Sequence, residues 1–250
     1  MVVIVFVILL KVGIRILTHF LSPANQSTNL INGMVDATQS IVFEQDPSYN
    51  DAVTIERSNN ATGGIEFTWS VWIYINNLYY LEDKYRHIFY KGNYDLSDNG
   101  LNFPNNAPGL YIAPHSNTLV VMMNTFDQVK EEILIPDIPL NKWVNVIMRC
   151  SNKTFDVFIN GVITRSVTFI GVPKQNYGNV YVAMNGGFDG YISNLQYFNH
   201  ALGTSAIQHI VAKGQNTKMI SNGDDGMDMK NSNYLSLRWF FYNSNDGYNP

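Results

Sequence analysis

The sequence predicts an all-β protein: an antiparallel two-sheet sandwich with a hydrophobic helix at its N-terminus and one short helix late in the chain. Three observations carry this. Residues 143–167, WVNVIMRCSNKTFDVFINGVITRSV, read as three consecutive antiparallel strands. Short apolar or alternating runs recur along the chain between Gly- and Asn-rich turns. The 250 residues include 15 Tyr and 14 Phe, a composition that favours strands over helices.

Within 143–167, residues 143–150 form an apolar, β-branched run, and Trp143 is expected in the core. Ser151, Asn152 and Lys153 supply a polar turn. The next strand, 154–159, alternates: Phe155, Val157 and Ile159 on one face, Thr154, Asp156 and Phe158 on the other. Asn160 and Gly161 both tolerate positive φ, so they suit a two-residue type I′ hairpin. Residues 162–167 return.

The chain opens on MVVIVFVILLKVGIRILTHFL. Its first ten residues, including Val2, Ile4, Phe6, Ile8 and Leu10, are wholly apolar. Lys11, Arg15, Thr18 and His19 then share one helical stripe. Twenty-one helical residues reach roughly 30 Å, just enough to span a bilayer. The apolar side chains outweigh Lys11, which costs about 2.5–3.5 kcal/mol near the centre, and Arg15, which costs less. A membrane anchor over 1–21 is therefore expected, through Val2, Ile4, Phe6, Ile8, Leu10, Lys11 and Arg15. The cations after the apolar decamer put the globular part on the cytoplasmic side. Two alternatives are a cleaved signal peptide and an apolar arm buried on another protein. Ser22-Pro-Ala24 supplies small residues for cleavage, but no basic residue precedes the apolar run. Residues 22–40 read as a polar linker.

The globular part is expected over 41–214. Residues 41–44 and 52–56 read as short strands around a turn, and 59–64 as a loop. Residues 66–76 form a strong strand: Phe67, Trp69, Val71, Ile73 and Ile75 on one face, Thr68, Ser70, Trp72 and Tyr74 on the other. Further strands are expected at 86–91, 110–113, 118–124, 129–135, 180–184 and 191–198. Residues 92–109 are a long Asn/Gly/Pro-rich loop. A helix is expected over 201–213, with a capping box at Ser205 to Gln208 and Gly214 ending it. Residues 215–250 form a polar extension that ends in an aromatic strand, 234–242.

Net charge is −4 and no basic tract is present, so no nucleic-acid partner is expected. The single cysteine, Cys150, excludes an internal disulfide. Asn25, Asn60 and Asn152 open glycosylation sequons, but a chain this rich in Asn, Ser and Thr produces about as many by chance, so they are no evidence of secretion.

Four segments go beyond a generic sandwich. They are Phe67-Thr-Trp-Ser-Val-Trp72-Ile, Leu140-Asn-Lys-Trp143-Val-Asn-Val, Phe155-Asp-Val-Phe158-Ile-Asn160-Gly161, and the run from Phe188-Asp-Gly190 through Leu195 and Tyr197 to Ala201-Leu202. In order and spacing the set resembles the concanavalin A-like lectin/glucanase superfamily, in its laminin-G/pentraxin-like branch. Ala206 departs from it, since many relatives carry a Glu there. The resemblance implies a jelly-roll sandwich and says little about ligand.

Catalytic members of that superfamily use carboxylates about two residues apart on one strand face, and a retaining pair sits about 5–5.5 Å apart. Glu44 and Asp46 have related spacing but lie at an edge turn without a downstream partner. Glu131 and Glu132 point to opposite faces of a strand. No catalytic residue is expected. Many relatives bind calcium; Asp95, Ser97 and Asn99 offer oxygens at alternate positions, and calcium is the one cofactor considered. Asp189 and the Asp residues at 224, 225 and 228 are further acidic candidates. Cys150 reads as a small buried hydrophobe. Trp72 and Tyr74 either stack on a sugar ring or form a second core face under a covering loop. Trp239, Phe240, Phe241 and Tyr242 either complete a sandwich edge or pair with a partner strand.

The expected function is non-enzymatic: a membrane-anchored structural or binding protein whose sandwich docks into a protein assembly. Asn- and Tyr-rich laminin-G-like domains on simple anchors look like those of large double-stranded DNA viruses. That resemblance implies a minor capsid protein tethering an inner membrane to the shell of a virion. The alternative is a lectin-like adhesion module that binds glycan or a surface protein through the 92–109 loop or the Trp72 face. A glycoside hydrolase is the distant alternative.

Overall fold

The computed structural model describes residues 26–220, together with residues 6–8 and 10–13. In chain order the strands are β1 (Ser27–Asn29), β2 (Met34–Asp36), β3 (Ile41–Phe43), β4 (Asn59–Ala61) and β5 (Gly64–Ile75). They continue as β6 (Arg86–Gly92), β7 (Gly109–Ile112), β8 (Leu119–Met123), β9 (Glu131–Ile135) and β10 (Trp143–Asn152). The last are β11 (Thr154–Ile159), β12 (Val162–Thr168), β13 (Asn179–Val182) and β14 (Gly190–Phe198), followed by the helix α1 (Thr204–Lys213). Sheet A has the order β1-β14-β5-β10-β11-β12, with β2 also on β14 and β4 on β5. Sheet B has the order β3-β13-β6-β7-β8-β9. All these strand pairings are antiparallel, as expected of a jelly-roll sandwich.

The core follows from period-two alternation. Phe67, Trp69, Val71, Ile73 and Ile75 of β5 are each 3% exposed or less. They meet inward residues of sheet B such as Leu110, Ile112, Leu119, Val121, Ile133 and Val180. Trp69 spans the two sheets, its ring 5.0 Å from Phe89 and 4.9 Å from Tyr197. Each such side chain contributes about 1.5–3 kcal/mol by leaving water. The expected hairpin forms: Asn160 and Gly161 have φ of 51° and 78°, and β11 pairs with β12.

The linker expected over 22–40 is corrected within 26–40. Those residues form β1 and β2, and Leu30, Ile31, Val35 and Ala37 are fully buried. Strands of three residues are too short to display alternation, and Asn/Ser/Gly richness hides the four apolar anchors. Residues 52–56 form no strand; they are fastened to the chain near β3 by Val53 N–H to the Glu44 carbonyl and Ile55 N–H to Gln45 Oε1. Conversely, β4 lies in the expected loop at 59–64, turning tightly into β5.

The helix begins at Thr204, with Gly203 as its N-cap and no side-chain cap. Ser205 lies inside the first turn, so the expected capping box does not form. Gly214 ends the helix at φ 77°, its N–H bonded to the Val211 carbonyl. Ile207 and Leu202 bury against Ile147 and Phe158 on the outer face of sheet A. Gln208 Nε2 donates to the Gly161 carbonyl at 2.8 Å and ties the helix to the hairpin turn.

Candidate functional site

Alternation that sends Ile73, Val144 and Ile192 inward sends Tyr74, Trp143 and Tyr191 outward on sheet A. The register sets them in one row across three strands: Trp143 opposite Tyr74, and Tyr74 opposite Tyr191. Asp36 of β2 extends the row beyond Tyr191. The Tyr74 ring lies 5.5 Å from Trp143 and 6.3 Å from Tyr191, tilted rather than coplanar. All three rings are partly exposed. At the ends of β5 and β14, Asn76 Nδ2 donates to Asp189 Oδ1 at 2.7 Å, and Asn77 Nδ2 donates to Asp189 Oδ2. The carboxylate is thus fixed two residues before Tyr191. Ring faces beside oriented acceptors match the mixed apolar and hydroxyl surface of a sugar.

This corrects one expectation and, for Trp72, decides between the two alternatives in favour of a covered face. Trp143 is outward and partly exposed rather than core; its parity against the buried Val144 and Val146 would have revealed that. Trp72 is 7% exposed and offers no open face. It sits one row along, between Asn145 and Ser193. Ser193 Oγ donates to the Asn216 carbonyl at 2.8 Å and accepts its N–H at 3.0 Å, which brings the chain after α1 over this row. Of the expected pair, Tyr74 alone joins the exposed row.

A second feature lies on the outer face of sheet B. The loop after β6 folds over Tyr111 and Met122, with Leu101 inserted. Buried carboxamides fasten it. Asn106 Nδ2 donates to the Asn102 carbonyl at 2.6 Å, Tyr111 Oη donates to Asn106 Oδ1 at 2.6 Å, and Asn106 N–H donates to Asn124 Oδ1 at 2.7 Å. A cleft of about 230 Å³ opens between this loop and Val129–Lys130.

Asp95, Ser97 and Asn99 are exposed; Ser97 and Asn99 line the cleft, on a small hairpin closed by the Leu96–Asn102 bridge. Asn99 Oδ1 accepts the Leu101 N–H at 3.1 Å. Among the described residues, no group of three His, Cys, Asp or Glu side chains could hold a metal ion.

Four other titratable side chains are buried or locally partnered. His87 is buried, its Nδ1 accepting the Met184 N–H at 2.9 Å, and desolvation lowers its pKa to about 3. Burial pushes the Cys150 thiol up to about 12. Asp46 accepts the Ser48 N–H at 2.9 Å as a turn former, which lowers its pKa. Glu132 pairs with Lys130 at 3.0 Å.

Phe6, Ile8, Leu10 and Lys11 are helical with exposed side chains. Among the described residues no helix is long and apolar enough to cross a membrane. Val2, Ile4, Arg15, Trp239, Phe240, Phe241 and Tyr242 lie outside the described residues.

A family model described as the concanavalin A-like lectin/glucanases superfamily, of laminin G type, matches residues 47–208. The receptor binding domain of botulinum neurotoxin C/D mosaic serotype superposes with a TM-score of 0.53 at 12% identity, over 77% of this chain and 45% of that domain. The binding domain of botulinum neurotoxin DC, solved in complex with rat synaptotagmin II, superposes with a TM-score of 0.50 at 13% identity, over 76% and 46%. The chain thus spans a little under half the length of these domains, and likeness at this identity concerns the fold. A comparison with curated proteins finds no match.

Proposed function

The chain belongs to the concanavalin A-like lectin/glucanases superfamily, and from that membership we propose a binding module that holds a glycan without cleaving it. The observation that carries this reading is the Tyr74–Trp143–Tyr191 row, three partly exposed rings beside the fixed Asp189 carboxylate. The structurally similar domains, one a receptor binding domain and one a binding domain solved with rat synaptotagmin II, support a binding role. The turn role of Asp46 and the ion pair of Glu132 support the absence of catalysis. A glycan array probed with the full-length protein in mild detergent, with and without calcium, tests it. Tyr74→Ala and Trp143→Ala should each lower the signal about tenfold, roughly 1.4 kcal/mol, without changing the far-UV spectrum. An unchanged signal in both variants overturns the assignment of the row. Loss of signal on chelation would bring in calcium, with Asp189, beside the row, as the first ligand to substitute.

A second reading keeps the sandwich as a tether in a membrane-containing assembly such as a virion. It draws on the helical, outward Phe6, Ile8 and Leu10. Vesicle flotation of the chain with and without residues 1–21 tests it; flotation that survives the deletion removes the anchor.

A further inference from the structure

The cleft on sheet B lies on the opposite outer face of the sandwich from the aromatic row, and its chemistry differs. We propose that it is a separate ligand site that takes the acetamido group of an N-acetylated sugar. Met122 and Leu101 are buried in its lining, while Phe103 and Val129, 52% and 46% exposed, are its open apolar residues. The polar groups free to bind are mainly donors. Asn99 spends its oxygen on the Leu101 N–H, which leaves its Nδ2 hydrogens available. Ser97 and Lys130 also line the cleft; the Lys130 ammonium gives one hydrogen to Glu132 at 3.0 Å and keeps others to donate. The carboxamides of Asn102 and Asn106 are consumed in bracing the loop, so the cleft keeps its shape without a ligand.

A lining of apolar surface and hydrogen-bond donors calls for a group with a methyl and an acceptor oxygen a few bonds apart. An acetamido group has both. A simple anion fits less well, because Glu132 already neutralises Lys130 at 3.0 Å. A volume of about 230 Å³ falls below the roughly 300–1,000 Å³ of typical small-molecule pockets. The cleft therefore suits one ring substituent or a single residue, not an oligosaccharide. This inference stands apart from the glycan reading of the aromatic row.

The test uses full-length protein in mild detergent and ¹⁹F line broadening of methyl N-trifluoroacetylglucosaminide, with methyl N-acetylglucosaminide, methyl glucoside and methyl glucuronide as competitors. The N-acetyl compound should compete at millimolar concentration, and the other two at least tenfold more weakly. Val129→Arg, which crowds the mouth from an exposed position, and Lys130→Ala should each weaken binding about tenfold. In Tyr74→Ala the tenfold preference for the N-acetyl compound over the glucoside should persist. Equal competition by glucoside or glucuronide overturns the acetamido assignment. Binding that survives Val129→Arg, or a preference that Tyr74→Ala abolishes, removes the ligand from the cleft. No broadening at all overturns the site while leaving the array result on the aromatic row to stand or fall separately.

Discussion

Arg149 grips Asp156 across the β10–β11 pair: Nε at 3.1 Å and Nη2 at 2.7 Å both reach the same oxygen, Oδ2. The other oxygen accepts from Ser166 Oγ at 2.6 Å, and Arg149 Nη1 donates to the Leu202 carbonyl at 2.9 Å. One ion pair therefore joins three strands to the chain that leads into α1. It is largely withdrawn from water, with side-chain exposures of 23% and 6%. Removing one partner of such a pair strands the other. Asp156→Ala should cost about 3–5 kcal/mol. The double variant Arg149→Met/Asp156→Leu should cost far less than Arg149→Met and Asp156→Leu summed. Urea unfolding measures all of them, and additive costs would show that the pair contributes no coupling.

The buried His87 makes the sandwich acid-labile. Its folded pKa, about 3, lies below the ordinary value of 6.5. Between these pH values the unfolded chain holds more protons, so stability is full above pH 6.5 and declines as pH falls toward 3. His87→Gln keeps an acceptor near the Met184 N–H but cannot titrate. A plot of Tm against pH should be flatter on the acid side for the variant; parallel curves would assign the acid loss to other groups.

Gly161 works at φ 78°, and a Cβ there would come within 2.9 Å of Gln208 Nε2. Gly161→Ala should destabilise by about 1–2 kcal/mol from the left-handed backbone alone. It should also loosen the bond from Gln208. In a double-mutant cycle, Gln208→Ala should therefore cost less in the Gly161→Ala background than in the parent, a difference readable by thermal unfolding.

Cys150 is buried, and desolvation holds its thiol near pKa 12. Ellman's reagent at pH 8 should leave the native protein untouched and titrate one thiol in guanidinium. Fast labelling of the native state would contradict its core placement.

Legibility along the chain tracked element length. The alternation of β5 and the β10–β12 hairpins could be read directly because each spans enough residues to reveal its period. β1, β2 and β4, at three residues each, could not, whereas β3, equally short, is legible because Ile41, Val42 and Phe43 are all apolar and strand-prone. Their identity comes from pairing with β14 and β5, which is a tertiary fact. The aromatic row was half visible. Tyr74 can be read from its strand, but Trp143 taken alone reads as core and Tyr191 carries no signal of its own, because the row exists only through cross-strand register. The cleft depends on buried carboxamides of Asn102, Asn106 and Asn124, which in sequence look like ordinary loop asparagines.

The strand order sets when the molecule can close. β14 lies between β1 and β5, and β13 lies between β3 and β6. Both inner strands come after residue 178. During synthesis β5 and β6 are made early, yet β6 lacks one neighbour until β13 emerges after residue 178, and most of one side of β5 waits for β14 after residue 189. β1, β2 and β3 have no strand partner at all until then. A nascent chain thus displays long, apolar strand edges for most of its translation, the condition under which chains meet one another instead of themselves. Ribosome-bound chains halted before residue 190 should engage holdase chaperones, and release should coincide with the arrival of β14.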